Sequence, residues 1–311
     1  MLPLQSRTNR KGKRNVWRII STVLLLLVLV LSATSGFAFL KIQETTSTLL
    51  KPMSGEKKQP LRAMRPFHIL LIGVDEREND KGRADALLLL SFNPKTEKAK
   101  SLSIPRDLHV ELESGEKTKI NHTYAYGGVD ETVSAVERLL EIDIPYYAKI
   151  NMEGLIDLVD AVGGITVDNP SAFSWNDRRL QKDYPKGNIE LNGLEASGYA
   201  RMRKDDPLGD TGRQIRQRQV LQAVVKKLKR TDTLFRYDKL AKVMEKNIQT
   251  NVTFEEATQL AEENRKGFDQ LRPLTLEGEG YIAKDGVWYF FADESSLSSV
   301  KQKLDRLIEE R

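Results

Sequence analysis

Guanidinium groups and carboxylates crowd together in three stretches of the sequence. Asp75 closes the apolar run FHILLIGV, and Arg83 and Asp85 follow about ten residues later. Arg106 lies in SIPRD, at the exit of a second apolar stretch. YARMRKDDPLGDTGRQIRQRQ at 199–219 holds Arg201, Arg203, Arg213, Arg216 and Arg218 beside Asp205, Asp206 and Asp210. Arginine forks grip phosphate oxygens two at a time. Paired carboxylates can hold a hard divalent cation such as Mg²⁺ through oxygen, and a helix start adds backbone N–H donors for an anion. Together these are the components of phosphoryl-transfer chemistry. Each feature alone also has a plain structural reading: a solvated loop around Asp75, an exposed Arg–Asp pair at Arg106, a salt bridge from Asp210 to the arginines. His122, in Lys119-Ile-Asn-His122, reads more readily as a hydrogen-bonded structural histidine than as a base.

Spacing sharpens the third cluster. Arg201 and Arg203 are two apart, so an extended segment would turn both to one side. On a helix of about 100° per residue, Gln217, Val220, Val224 and Leu228 fall within about 60° of Arg213. Arg213 and Gln217 thus continue the stripe that buries valine and leucine, with Arg216 and Arg218 to either side. A charge on such a stripe is costly unless a carboxylate or an anionic ligand neutralises it.

The elements that must position these groups follow from hydrophobic pattern. FHILLIGV at 67–74 is an apolar run of the kind buried on both faces of a sheet. ALLLLSF at 86–92 and KSLSIP at 100–105 predict two further strands, hairpin-paired through NPKTEKA. Asp75 and Arg106 then stand at carboxyl ends of strands, where open α/β sheets bind ligands. Asp130 is expected to cap a helix running to about Leu140. Asn151 should cap a second, MEGLIDLVDAV, which Gly163 and Gly164 end, with YYAKI and GITVD as flanking strands. A long helix is expected from near Gly212 to about Arg230, with helical segments over 233–248 and 254–265. GYIAKDGVWYFFAD reads as a hairpin turning at Asp285-Gly286, and a last helix begins near Glu294. Strands alternating with amphipathic helices predict a layered α/β domain.

Composition narrows the class. Hydrophobic residues make up 40% of the 311 and charged residues 30%, which excludes wholesale disorder and a multi-span membrane protein. There is no cysteine, so thiolate metal sites and cysteine nucleophiles are excluded, and three histidines give little material for a histidine relay. The net charge of +5 is misleading. Arg7, Arg10, Lys11, Lys13, Arg14 and Arg18 precede residue 19 with no acid among them, and the remainder is close to neutral. Residues 19–40, IISTVLLLLVLVLSATSGFAFL, carry no charge and at about 1.5 Å per residue are long enough for a bilayer core. A cleaved signal peptide is the competing reading. The basic tail places the N-terminus in the cytoplasm. The expected organisation is a cytoplasmic tail at 1–18, a signal-anchor at 19–40, a linker at 41–66 and a domain outside the membrane at 67–311. Nucleic acid is disfavoured as a partner by that topology and by the near-neutral outer portion.

The blocks LLIGVDER, GRADALLLLSFNPKTEKAKSLSIPRD, KINHTYAYGG, YYAKINMEGLIDLVDAVGGITVD, LNGLEASGYARMRKDD and GDTGRQIRQRQ, in this order, resemble the LytR-CpsA-Psr family. The nearest subgroup is its teichoic-acid transferases of Gram-positive bacteria. The resemblance runs from about Phe67 to Gln219. It implies a single α/β/α domain with a mixed central sheet, on the outer side of the cell membrane behind one transmembrane helix. It also implies transfer of an anionic glycopolymer from a polyisoprenyl-pyrophosphate carrier to peptidoglycan, through a phosphodiester. Position by position, Asp75 and Asp85 match acidic residues associated with Mg²⁺ (or Mn²⁺). Arg83, Arg106, Arg201, Arg203, Arg213 and Gln217 match the pyrophosphate site. Lys119 and Asp210 fall within family motifs: Lys119 is counted with that site, and Arg83, Arg106 and Asp210 are the catalytic candidates. Ala84 and Ala86 stand where the family often has serine or threonine. Val133, Val136, Leu140, Leu155, Val159, Val220, Val224 and Leu228 are candidates for an apolar prenyl tunnel, and each also fits an ordinary core. The same residues would equally serve a polyprenyl-pyrophosphate phosphatase or a non-catalytic lipid-pyrophosphate-binding regulator.

Overall fold

Leucine, isoleucine and valine crowd the first two apolar runs too densely for a solvated face, and both runs form central strands. The structure, a computed structural model, describes residues 51, 53, 65–76, 81–203, 206, 209–228, 243, 247–252, 256, 260, 264, 266, 267 and 270–310, with 210, 211 and 228 as backbone only. They all fall in one compact unit, 48–311. The expected tail and membrane anchor, and most of the linker and of the helical segments at 233–248 and 254–265, lie outside the described residues. Among the described residues no helix is long and apolar enough to cross a membrane.

In chain order the strands are β1 (Phe67–Val74), β2 (Ala84–Asn93), β3 (Lys98–Ile104), β4 (His109–Glu111), β5 (Lys117–Lys119), β6 (Tyr146–Asn151), β7 (Ile165–Asn169), β8 (Phe173–Asn176), β9 (Gln181–Tyr184), β10 (Gly187–Leu191), β11 (Ile248–Thr250), β12 (Arg272–Leu274), β13 (Gly278–Ile282) and β14 (Trp288–Ala292). The helices are α1 (Thr123–Leu140), α2 (Met152–Ala161), α3 (Gly193–Arg201), α4 (Gly209–Leu228) and α5 (Glu294–Glu309). A mixed six-stranded sheet, ordered β11-β6-β1-β2-β3-β12, forms the centre. Strand β1 runs parallel to β6 and antiparallel to β2, which is antiparallel to β3. The carboxyl ends of β1, β3 and β6 and the start of β2 therefore share one edge. That edge holds Asp75, Arg106, Asn151 and Asp85.

The sheet's two faces differ. Leu70, Ile72 and Val74 of β1 and Leu87 and Leu89 of β2 pack against Val133, Val136 and Leu140 of α1 and Val300 and Leu304 of α5. The alternate residues Ile69 and Leu71 point the other way and are only partly buried. That face looks toward α4, which joins α2, α3, β7 and β10 in a second core around Val159, Tyr199 and Val224.

Several local expectations change. The cap at Asp130 is not used: α1 starts at Thr123 and kinks at Gly128, whose φ of 66° is open to glycine. GITVD is a strand, but β7 pairs with β10 outside the central sheet. The long helix begins at Gly209, three residues before the expected Gly212. Two linker residues touch the domain: Lys51 N–H donates to Thr250 O, and Tyr147 Oη donates to Lys51 O. The Asn151 cap is present, its side chain accepting from Gly154 N at 2.7 Å. Described residues past 231 are integral to the sheet, since β12 extends it beside β3 and α5 covers β2, held where Asn93 Nδ2 donates to Leu307 O at 2.7 Å.

Candidate active site

Beyond the shared strand edge, between the partly buried sheet face and α4, lies a cavity of about 400 Å³. Its mouth takes Asp75 from the end of β1, Asp85 from the start of β2, Arg106 from just past β3, Arg201 from the end of α3, and Arg213 and Gln217 from α4. Its deeper walls are apolar: Leu71, Leu88, Ile150, Met152, Leu155, Leu158, Val220, Leu221 and Val224. Gly73 and Ala86, facing each other across β1 and β2, are both small and keep the sheet surface low there.

The mouth is built from interlocked charges. Arg106 Nη1 donates to Asp85 Oδ1 at 3.2 Å, and Arg106 Nε lies 3.5 Å from Asp107 Oδ2. Asn121 Nδ2 also donates to Asp85 Oδ1, at 3.3 Å, while its backbone N–H donates to Arg106 O. Arg106, Asp85 and Asp107 are partly exposed, so each ion pair contributes at most about 1 kcal/mol and serves mainly to fix geometry. Arg201 Nη2 reaches Asp177 Oδ2 at 3.2 Å and its guanidinium stands 5.0 Å from the ring centre of Trp175, a further lining residue. Arg213 is only 7% exposed. Four arginines (Arg106, Arg201, Arg213 and Arg218) against two carboxylates line this largely apolar space, an excess of positive charge.

Not every expected residue arrives there. Arg83 and Arg203 have exposed side chains and do not line the cavity. Lys119 is drawn aside, 3.0 Å from Asp107 Oδ1. Asp210 lies in the first turn of α4, with its side chain outside the described residues. Burial, helped by the positive charges of Arg83 and Lys119, lowers the pKa of His122; it shares a hydrogen bond with Thr118 Oγ1 and does not line the cavity. Of the tunnel candidates, Leu155, Val220 and Val224 line the space. Val133, Val136 and Leu140 belong to the packed core on the opposite face, and Val159 to the second core.

Asn121 and Arg218 are among the participants missed by sequence reasoning. Asn121 lies between Lys119 and His122 in the singled-out block, and nothing in its type announces a contact to Asp85. Arg218 lines the cavity and donates from Nη1 to Ser103 Oγ at 2.8 Å, and burial lowers its pKa. Its neighbour Arg216 turns away into the second core and pairs with Asp206 at 2.5 Å.

Asp75 and Asp85 bring two carboxylates to one edge. Among the described residues no group of three or more His, Asp or Glu gathers that could hold a metal unaided. Two carboxylates nonetheless fit a Mg²⁺-type ion, which commonly takes one or two protein oxygens and completes its shell with phosphate oxygens and water.

Comparison with known proteins is consistent with this geometry. The model of the LytR_cpsA_psr family matches residues 36–306. The chain is 38% identical over 308 residues to the polyisoprenyl-teichoic acid–peptidoglycan teichoic acid transferase TagU of Bacillus subtilis strain 168, covering 96% of this chain and 98% of that protein. The crystal structure of B. subtilis TagU superposes with a TM-score of 0.63 at 39% identity, over 79% of this chain and 98% of that one. A structure of TagT bound to LI-WTA superposes at 0.66 and 28% identity, over 83% and 99%.

Proposed function

The chain belongs to the LytR-CpsA-Psr family, and from that premise we propose that it is a membrane-anchored phosphotransferase. In this reading it moves a wall teichoic acid-type glycopolymer from a polyisoprenyl-pyrophosphate carrier to peptidoglycan. The observation that supports it best is a cavity that combines apolar walls with a mouth bearing Asp75, Asp85, Arg106, Arg201, Arg213 and Gln217. An isoprenoid diphosphate has the same division between grease and charge.

The isoprenoid chain lies along Leu71, Leu88, Leu155 and Val224, and the diphosphate at the mouth. A hydroxyl oxygen of the peptidoglycan glycan bonds to the phosphorus that bears the polymer. The bond from that phosphorus to the bridging oxygen breaks, polyisoprenyl monophosphate leaves with the electron pair, and the hydroxyl proton passes to a carboxylate, with Asp210 the candidate. Arg106, Arg201 and Arg213 offset the charge that gathers on the bridging and terminal oxygens, and Gln217 donates a neutral hydrogen bond. Arg106 is preorganised for this by Asp85 and Asp107. Arg83, Arg203 and Lys119 meet the polymer side of the substrate outside the cavity. Asp75 and Asp85 would hold Mg²⁺ or Mn²⁺, which when bound screens the diphosphate charge. Residues 1–18 form the cytoplasmic tail, 19–40 the single span and 67–311 the outer domain of a Gram-positive-type cell membrane protein, with 41–66 between.

The test is transfer of a labelled lipid-linked glycopolymer to peptidoglycan by the full chain in detergent micelles. Arg106→Ala and Arg213→Ala are each expected to slow transfer by about 10²-fold or more, the usual cost of removing one donor to developing charge. Full activity in the double variant, or label released only to water, would overturn the assignment.

A further inference from the structure

Arg106 and Arg201, at the mouth of the cavity, each meet a carboxylate, Asp85 and Asp177 respectively. Arg218 lines the same space and is placed differently. Among the described residues it has no carboxylate within ion-pair reach and one hydrogen bond, from Nη1 to the neutral Ser103 Oγ at 2.8 Å. We propose that Arg218 binds the lipid-side phosphate, the one that leaves on the isoprenoid when the polymer is transferred. The proposal rests on the isoprenoid-diphosphate reading above.

Two registers place Arg218 deeper than the mouth. Ser103 stands three residues inside β3 from Arg106 and pairs with Leu88, itself three residues inside β2 from Asp85. At about 3.3 Å per residue, that is about 10 Å along the sheet. On α4, Arg218 follows Arg213 by five residues, about 7.5 Å of helix rise, and the lining residues after it are Val220, Leu221 and Val224. Strand and helix agree: the guanidinium sits where the charged mouth gives way to apolar wall. A diphosphate whose isoprenoid points inward presents its lipid-side phosphorus to that boundary and its polymer-side phosphorus to the mouth.

The isoprenoid itself makes the contact necessary. Burial lowers the pKa of Arg218, yet an arginine stays protonated at neutral pH. An isoprenoid lying along Leu88 and Leu221 displaces water from around the guanidinium, and a charge so stripped is costly unless an anion meets it. The phosphate on the same molecule is that anion. The Ser103 hydroxyl, accepting from Nη1, still has its own proton to donate to it. Charge then grows at this point during transfer. When the bond from the polymer-bearing phosphorus to the bridging oxygen breaks, that oxygen stays on the lipid phosphate, which becomes a monoester and gains about one negative charge. Arg218 therefore holds the departing phosphate more strongly than the intact diphosphate, which favours bond breaking.

A simple pin between α4 and β3 would use the same Ser103 contact, and the choice of replacement separates the two roles. Arg218→Met removes charge and hydrogen bond together. Arg218→Gln keeps a donor for Ser103 Oγ without the charge, and Arg218→Lys keeps the charge without the fork. The experiment measures equilibrium binding of farnesyl monophosphate, farnesyl diphosphate and farnesol to the full chain in detergent micelles. Both uncharged variants are expected to weaken the monophosphate at least about tenfold, the usual worth of a hydrogen bond to a charged group. Farnesol should bind within about twofold of wild type or tighter, and Arg218→Lys should recover part of the loss.

Monophosphate affinity unmoved in both uncharged variants would overturn the proposal. So would a loss confined to the diphosphate, which would put Arg218 on the polymer side, or an equal loss of farnesol, which would make it a packing residue. Wild type that binds the monophosphate no better than farnesol would overturn the proposal together with the reading it rests on. Wild type that discriminates, with variants that discriminate equally well, rejects Arg218 alone.

Discussion

Arg216 is the residue by which the placement of α4 can be tested. Its side chain is 2% exposed, with Nη1 2.5 Å from Oδ2 of Asp206, whose side chain is 5% exposed. Nη2 donates to Met202 O at 2.7 Å, and the guanidinium lies 5.4 Å from the ring centre of Phe173. The Asp206 carboxylate rests against Gly212 in the first turn of α4. This pair ties the chain leaving α3 to the helix that presents Arg213, Gln217 and Arg218. Arg216→Met keeps the stem but strands a buried carboxylate and a buried carbonyl. Breaking one side of a buried pair costs about 3–5 kcal/mol. With a urea m-value of about 2 kcal/mol/M, the midpoint should fall by about 1.5–2.5 M. Arg216→Met with Asp206→Asn removes both charges at nearly constant volume and should recover more than half of that loss. Urea unfolding followed by tryptophan fluorescence measures all three proteins. A single variant that loses less than about 1 kcal/mol, or a double variant no more stable than the single, would refute the argument that this ion pair fixes α4.

Two further outcomes are expected. Ala86→Leu projects three carbons into the cavity where β1 and β2 hold only small residues. It should raise KM for a long-chain lipid-linked donor at least about tenfold with stability changed by less than about 1.5 kcal/mol; an unchanged donor KM would show that the space is not the lipid's path. His68 donates or accepts a hydrogen bond with Ser91 Oγ at 2.8 Å, and burial pushes its pKa down from 6.5 to about 4. The unfolded chain therefore takes up this proton first as pH falls. Stability is full above pH 6.5 and declines by about 3 kcal/mol as pH drops toward 4. Urea midpoints across that range should show the decline in wild type and a flatter profile in His68→Gln.

The strand edge was legible because β1 and β3 are apolar runs that stop abruptly at charge, which places Asp75 and Arg106 at strand ends whatever the topology. The helical spacing of Arg213, Gln217, Val220 and Val224 likewise fixed one wall. Which face of the sheet is filled was not legible, since β1 and β2 are apolar on both, and period-two patterning cannot tell a packed neighbour from empty space. Val133, Val136 and Leu140 therefore looked as suitable for a tunnel as Leu71 and Leu88. Arg218 escaped because a long side chain can curl back to a face its Cα does not occupy, whereas Lys119 was counted with the site because nothing local shows that Asp107 draws it aside. Trp175 reaches the cavity from a separate two-stranded hairpin whose docking no local pattern announces.

The covering of β2 by α5 has a consequence for how the protein is made. A chain emerging from the ribosome N-terminus first exposes Leu87, Leu89 and Leu102 roughly two hundred residues before Val300, Leu304 and Leu307 exist to shield them. Asn93 likewise waits for the carbonyls of Leu307 and Glu310. Synthesis must therefore finish before the sheet is sealed, and in the interval its apolar face is open to misassociation. A chaperone that shields such surfaces would act on this enzyme late, at the closing of its last helix.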